Sequence, residues 1–189
     1  MTTGHDITIQ RGATYRKPFL FQQPEILFRR VTEFRRTSPI EIVSVAHGIP
    51  DQWPIWLEDV KGAASLQRSR PAVPMLSSRI DADTLDLPSA DGFGSTAASG
   101  TLVFRPPVDL TGVTARMSFW LPDGTLATDY TETSGLVIDP LGRITLDLTA
   151  ATTLALTWDN ATYELDVTFP DATVLHYDMG NVMVAGRMP

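Results

Sequence analysis

Proline and glycine punctuate this chain so regularly that little room is left for helices. It has 14 prolines and 13 glycines in 189 residues. Few stretches reach the roughly 12 residues that an isolated helix needs without meeting one of them. A proline inside a helix costs about 3 kcal/mol and a glycine about 1. The spacing leaves short segments, many of which alternate apolar and polar residues, the period of a strand with one buried face.

Residues 6–10 alternate and end at Arg11-Gly12, and residues 14–21 follow as a second strand in which Pro18 marks an edge or bulge. The pattern is clearest in the last 80 or so residues. Ala115, Met117 and Phe119 fall on one face of a strand, and Leu121 to Thr125 then turn through Gly124. Ile144, Leu146 and Leu148 repeat the pattern, as do Tyr163, Leu165, Val167 and Phe169. Two further short strands are expected over 174–179 and 180–186, divided by Gly180. Residues 149–156 are the one plausible helical turn, with Thr149 as its N-cap. Strands at this spacing, joined by tight turns, make a β-sandwich.

The middle of the chain reads differently. Short strands are expected over 40–45, 53–57, 83–87 and 101–104, with loops at 68–78 and in the Gly/Ala/Ser-rich stretch 89–100. The simplest organisation is a sandwich built from 1–24 and 105–189, interrupted by a small β-module over 25–104.

Composition excludes several functions. With no cysteine there are no disulfides, thiolate metal sites or cysteine nucleophiles. No run approaches the roughly 18 apolar residues of a membrane span, and the N-terminus lacks the basic start and apolar core of a secretory signal, so a cytoplasmic origin is expected. The net charge is −7. Residues 1–100 carry 11 basic and 11 acidic side chains and residues 101–189 carry 4 and 11. This acidic balance argues against nucleic acid as the main partner. Arg29, Arg30, Arg35 and Arg36 form a local exception, but Glu25 and Glu33 interrupt them, and a protein-facing or solvated strand is the better reading.

Catalytic chemistry finds little support. His5, His47 and His176 lie in separate segments. His47-Gly48 reads as a turn at a strand end. His176 and Asp178, two apart in a strand, are expected on one face, with no third ligand to complete a metal site. Asp81, Asp83 and Asp86 approach calcium-loop spacing only loosely, lacking the turn glycine and the bidentate glutamate. No phosphate loop, nucleophile elbow or zinc motif is present, so neither enzymatic activity nor a cofactor is expected. Trp53 and Trp56 stand three apart around Pro54, in a segment too short to bury both on one face. Either one is an exposed interface anchor, or both cap a small core.

Two patterns resemble known families. Ile-x-Ile-Gln-Arg-Gly-Ala-Thr-Tyr-Arg over residues 7–16 fits with Asp-Leu-Thr-Gly-x-Thr-Ala-Arg-Met over 109–117. Gly-Arg-Ile-Thr-Leu-Asp-Leu-Thr-Ala-Ala over 142–151 and Tyr-Glu-Leu-Asp-Val over 163–167 continue it. Together they resemble the Ig-like N-terminal domain of siphophage baseplate upper proteins and related tail proteins. Nested within it, residues 42–48, 54–62 and 81–87 resemble a small β-barrel-like repeat of phage tail tubular and fibre proteins, one similar to the FCCH domain of ubiquitin-activating enzymes. The resemblance implies an all-β fold, an Ig-like β-sandwich with an inserted small β-barrel-like module. It also implies a non-enzymatic structural protein of the tailed-bacteriophage virion, assembled in the bacterial cytoplasm in the tail, baseplate or fibre-attachment region. Its partners would be other phage structural proteins and further copies of itself. The alternatives are a head-decoration or head-to-tail connector protein, and a carbohydrate-binding module with exposed aromatics. Arg29, Arg30, Arg35, Arg36, Trp53 and Trp56 are the expected interface residues, and contacts are also expected at the N-terminal strand, the 24–39 segment with its arginines and the 62–80 loop.

Overall fold

The structure, a computed structural model, describes residues 5–93 and 98–186. The chain forms two compact units, one from residues 1–21 and 109–189 and the other from 22–108. The second begins three residues earlier and ends four residues later than the segment delimited from sequence. Backbone pairing continues past its last strand, with Gln22 bridging Pro107 and the Gln23 N–H donating to the Pro106 carbonyl at 2.9 Å.

The first unit opens with β1 (Ile7–Gln10) and β2 (Tyr15–Leu20). The inserted unit then supplies β3 (Leu27–Val31), β4 (Glu33–Arg35), β5 (Ile40–Val43) and β6 (Trp53–Lys61). After a single 3₁₀ turn at Ala64–Leu66 come β7 (Met75–Arg79), β8 (Thr84–Leu87) and β9 (Ser99–Phe104). These seven strands form one sheet in the order β3-β9-β6-β7-β8-β5-β4. Its two ends, β3 and β4, are consecutive in the chain and separated only by Thr32, whose N–H and hydroxyl both donate to the Val43 carbonyl at 2.9 and 3.1 Å. One kinked stretch thus serves as both edges and brings the sheet round into a nearly closed barrel. Alternation fills it: Ile40 and Ile42 of β5 and Trp53, Ile55 and Leu57 of β6 are fully buried, each contributing about 1.5–3 kcal/mol of burial. β6 runs four residues past the expected strand end because Asp59, at φ 53°, forms a bulge where pairing with β9 shifts between Glu58 and Lys61. Residues 75–78, expected as loop, belong to β7, whose inward residues are Met75 and Ser77.

The chain returns to the first unit with β10 (Thr114–Trp120), β11 (Leu126–Tyr130), β12 (Leu136–Asp139) and β13 (Arg143–Leu148). A short helix, α1 (Ala150–Leu154), is capped by Thr149, whose hydroxyl accepts from the Thr152 N–H at 3.2 Å, followed by β14 (Asn160–Thr168) and β15 (Val174–Ala185). One sheet runs β1-β15-β14-β10-β11 and the other β12-β13-β2. β1 is parallel to β15, and the other pairs are antiparallel. This strand order is an immunoglobulin-type sandwich with a single strand, β11, added beyond β10, and the barrel is inserted between β2 and β10. The sheets meet through Ile144, Leu146, Met117, Phe119 and Leu165, all fully buried, with the Phe19 and Tyr163 rings 6.2 Å apart across the layer. Pro18 sits in the edge strand β2, where its missing N–H costs no ladder bond.

Gly180 does not divide the last segment into two strands. It lies mid-way along β15 opposite Tyr163, and a Cβ there would meet the His5 carbonyl oxygen at 2.7 Å and Tyr163 Cε1 at 3.0 Å. The glycine admits the tyrosine ring and the incoming N-terminal backbone. Gly180→Ala is therefore expected to lower stability by about 1–3 kcal/mol in urea unfolding. Gly186→Ala, where nothing lies within 4 Å, should change it by less than about 0.5.

Candidate protein-binding interface

β3, β9, β6 and β7 lie side by side in the barrel, and their outward residues form one continuous face. Phe28 is in register with Val103, Val103 with Trp56, and Pro54 with Leu76. Since strands neighbour one another at about 4.8 Å, Phe28 and Trp56 flank Val103, which is fully buried although it points away from the barrel interior. Phe28 remains 52 % exposed, Leu76 57 % and Val73 80 %. The Trp56 indole N–H donates to the Ala72 carbonyl at 2.7 Å, which fixes the ring and the loop carrying Val73. Arg70 lies 5.2 Å above the Phe28 ring, and its Nε and Nη2 donate to the two carboxylate oxygens of Glu58 at 2.9 and 3.3 Å. That pairing holds the Glu58 carboxyl below the usual range. An aromatic–aliphatic floor with a fixed Trp, a stacked Arg and a charged rim is the composition of a binding hot spot.

The residues nominated from sequence are dispersed over this unit. Trp53 is not available as an interface anchor: it is 0 % exposed, inside the barrel, with its indole N–H donating to the Arg105 carbonyl at 2.8 Å. A separation of three in a strand puts Trp56 on the opposite, outer face. Arg29 is half-buried with Nη1 donating to the Phe28 carbonyl, and Arg30 is exposed opposite Thr101 at the edge of the outer face. Arg35 is engaged by Glu41 at 3.0 Å and Glu33 at 3.6 Å, and Arg36 is exposed just beyond β4. The bend at Thr32 separates the two arginine pairs, so they do not form one patch. Sequence reasoning nominated the 24–39 and 62–80 stretches without singling out Phe28, Arg70 or Leu76 within them, and it missed Val103. The available signal was phase: with Val31 inward, Phe28 must point outward in the same strand.

The histidines are also separated. His176 does not share a face with Asp178, because the register of β14 and β15 shifts between Leu165 and Asp166. His176 is exposed and pairs with Asp166. Asp178 is buried, accepts from the Met179 N–H at 3.0 Å, and lies 2.9 Å from the Tyr163 hydroxyl and 3.2 Å from His5 Nδ1. Burial, then the neighbouring Asp178, push the Tyr163 hydroxyl well above its ordinary pKa, so it remains a donor. The cluster ties residue 5 to the sheet, and its tyrosine is fully buried. Carboxylates of the other loops cap turns. Asp91, Asp109, Asp123, Asp139 and Asp171 each accept the N–H two residues on at 2.9 Å. Asp81 accepts from Asp83, and Asp83 from Ala46. Among the described residues no group of three His, Asp or Glu side chains could hold a metal.

His47 is buried in the barrel, and its Nδ1 accepts the Ile49 N–H at 2.9 Å. Burial pushes its pKa below the ordinary 6.5, while nearby backbone at Asp81 and Thr84 opposes the shift. The unfolded chain therefore takes up this proton at higher pH than the folded barrel. The stability His47 contributes is complete above about 6.5 and is lost as pH falls below it. The urea midpoint, followed by tryptophan fluorescence, should drop between pH 7 and 5, and His47→Asn should flatten that segment of the profile.

No family model matches this chain, and no curated protein matches it.

Proposed function

We propose that the chain is a non-enzymatic structural component of a tailed-phage particle, sited in the tail, baseplate or fibre-attachment region and working in several copies by protein–protein association. The observation that carries association is the outer face of the barrel, where Phe28, Trp56, Val73 and Leu76 form an apolar surface gripped by Arg70 and Glu58. Large exposed apolar patches rimmed by charge mark interaction sites. The virion assignment is supported by the resemblance at both ends of the chain and within the insertion, nested as an all-β module inside an Ig-like sandwich.

Antibody against the chain, applied to particles of the phage that encodes it, should label the tail or its tip in several copies. Labelling confined to the capsid would move the protein to the head or connector, and unlabelled particles would overturn the proposal. A second reading, a carbohydrate-binding surface, is favoured by one feature, the placement of Phe28 and Trp56 on the same face either side of Val103. It predicts glycan-array binding by the isolated protein that Phe28→Ala and Trp56→Ala both abolish.

A further inference from the structure

The barrel face has a counterpart of opposite character in the first unit. β14 and β15 present their outward residues along a groove with two adjoining hollows of about 460 and 320 Å³. Pro122 and Met183 wall the first, Glu164 and Met179 the second, and Thr162 and Asn181 belong to both. Met179 and Met183 are about half exposed on the outward face of this strand pair. Thioether side chains adapt to the shape of an incoming aromatic ring.

The two units differ in charge. Residues 1–21 and 109–189 carry 6 basic and 12 acidic side chains, whereas residues 22–108 carry 9 and 10. On the groove, Glu164 is exposed and has no ion-pair partner among the described residues, with Asp166 further along the same strand face and Asp6 at the β1 end. On the barrel face, Arg30 is exposed and likewise lacks an ion-pair partner among the described residues, beside Phe28 and the Arg70 that covers it. An apolar face whose unpaired charge is Arg30 fits a methionine-lined groove whose unpaired charge is Glu164.

We infer that the β14–β15 groove is the docking site for the barrel face of a second copy of this chain. This rests on the reading that the protein works by association in several copies, and it names the partner as the chain itself. The contact is heterologous, because barrel face meets groove. It therefore leaves one free surface of each kind on every dimer and propagates into a ring or a filament. The partner's Phe28 enters the first hollow beside Met183, and its Arg30 meets Glu164 at the second.

The test is analytical ultracentrifugation of the full chain over a range of concentrations, with tryptophan fluorescence confirming that each variant is folded. Wild type should associate, more weakly as ionic strength rises. Phe28→Ala, Arg30→Glu and Glu164→Arg should each weaken association by roughly tenfold or more. The decisive sample is an equimolar mixture of Arg30→Glu and Glu164→Arg proteins. Each variant alone confronts like charges, but in the mixture every barrel can meet a groove of opposite sign, so association should return. A wild type that stays monomeric overturns the inference, as does association that Glu164→Arg leaves untouched or that the mixture does not restore. None of these results bears on whether antibody labels the particle, so the two proposals fail separately.

Discussion

The architecture rests on a short clamp at the stem of the insertion. Gln22 bridges Pro107, the Gln23 N–H reaches the Pro106 carbonyl at 2.9 Å, and the Gln23 side-chain amide reaches the Pro107 carbonyl at 2.8 Å. These bonds bring together the points where the chain leaves and rejoins the sandwich. The entropy of closing a long loop is thus met by the barrel's own folding, and β2 and β10 are linked as though by a tight turn. Without that clamp the second and third core strands would be tethered by a long excursion. With it, an immunoglobulin-type strand order tolerates a whole domain in one of its loops.

The sandwich strands were legible because one buried face and one wet face impose a clean period of two. Ile144-Thr145-Leu146-Asp147-Leu148 and Tyr163-Glu164-Leu165-Asp166-Val167 can be read only one way. The barrel was less legible for the same reason. Val103 and Trp56 are apolar on its outer side, so Leu102-Val103-Phe104 shows no alternation, and Met75-Leu76 hides a strand in what looks like a loop. Thr32 gives no sign that it joins the two ends of a sheet. The bulge that turns Asp178 inward while His176 stays outside is also invisible to spacing, and it is what separated the expected pair.

The same distinction explains why the candidate interface was only partly found. Composition singled out arginines and tryptophans, and Arg30 and Trp56 do lie on the outer barrel face. Whether a given tryptophan is core or surface depends on strand phase, and Trp53 and Trp56 take opposite answers three residues apart. Arginine runs are equally ambiguous until their carboxylate neighbours are known: Arg35 is engaged by Glu41 and Glu33, while Arg30 has no such partner among the described residues. The free strand edges of the barrel sheet are confined to the single stretch that forms β3 and β4. The sandwich presents the open backbone of β11 and β12 at separate sheet ends.

The parallel pairing of β1 with β15 has a consequence for how the protein is made. During synthesis residues 7–20 emerge before the barrel, yet β2 must wait for β13 and β1 for β15. Every strand of the barrel, by contrast, has left the ribosome once Phe104 is out. The inserted unit can thus assemble on the ribosome while its host is still missing most of its strands. The N-terminal strands of the host are held in reserve until the last one arrives, and the module that interrupts the sandwich is complete before the sandwich itself.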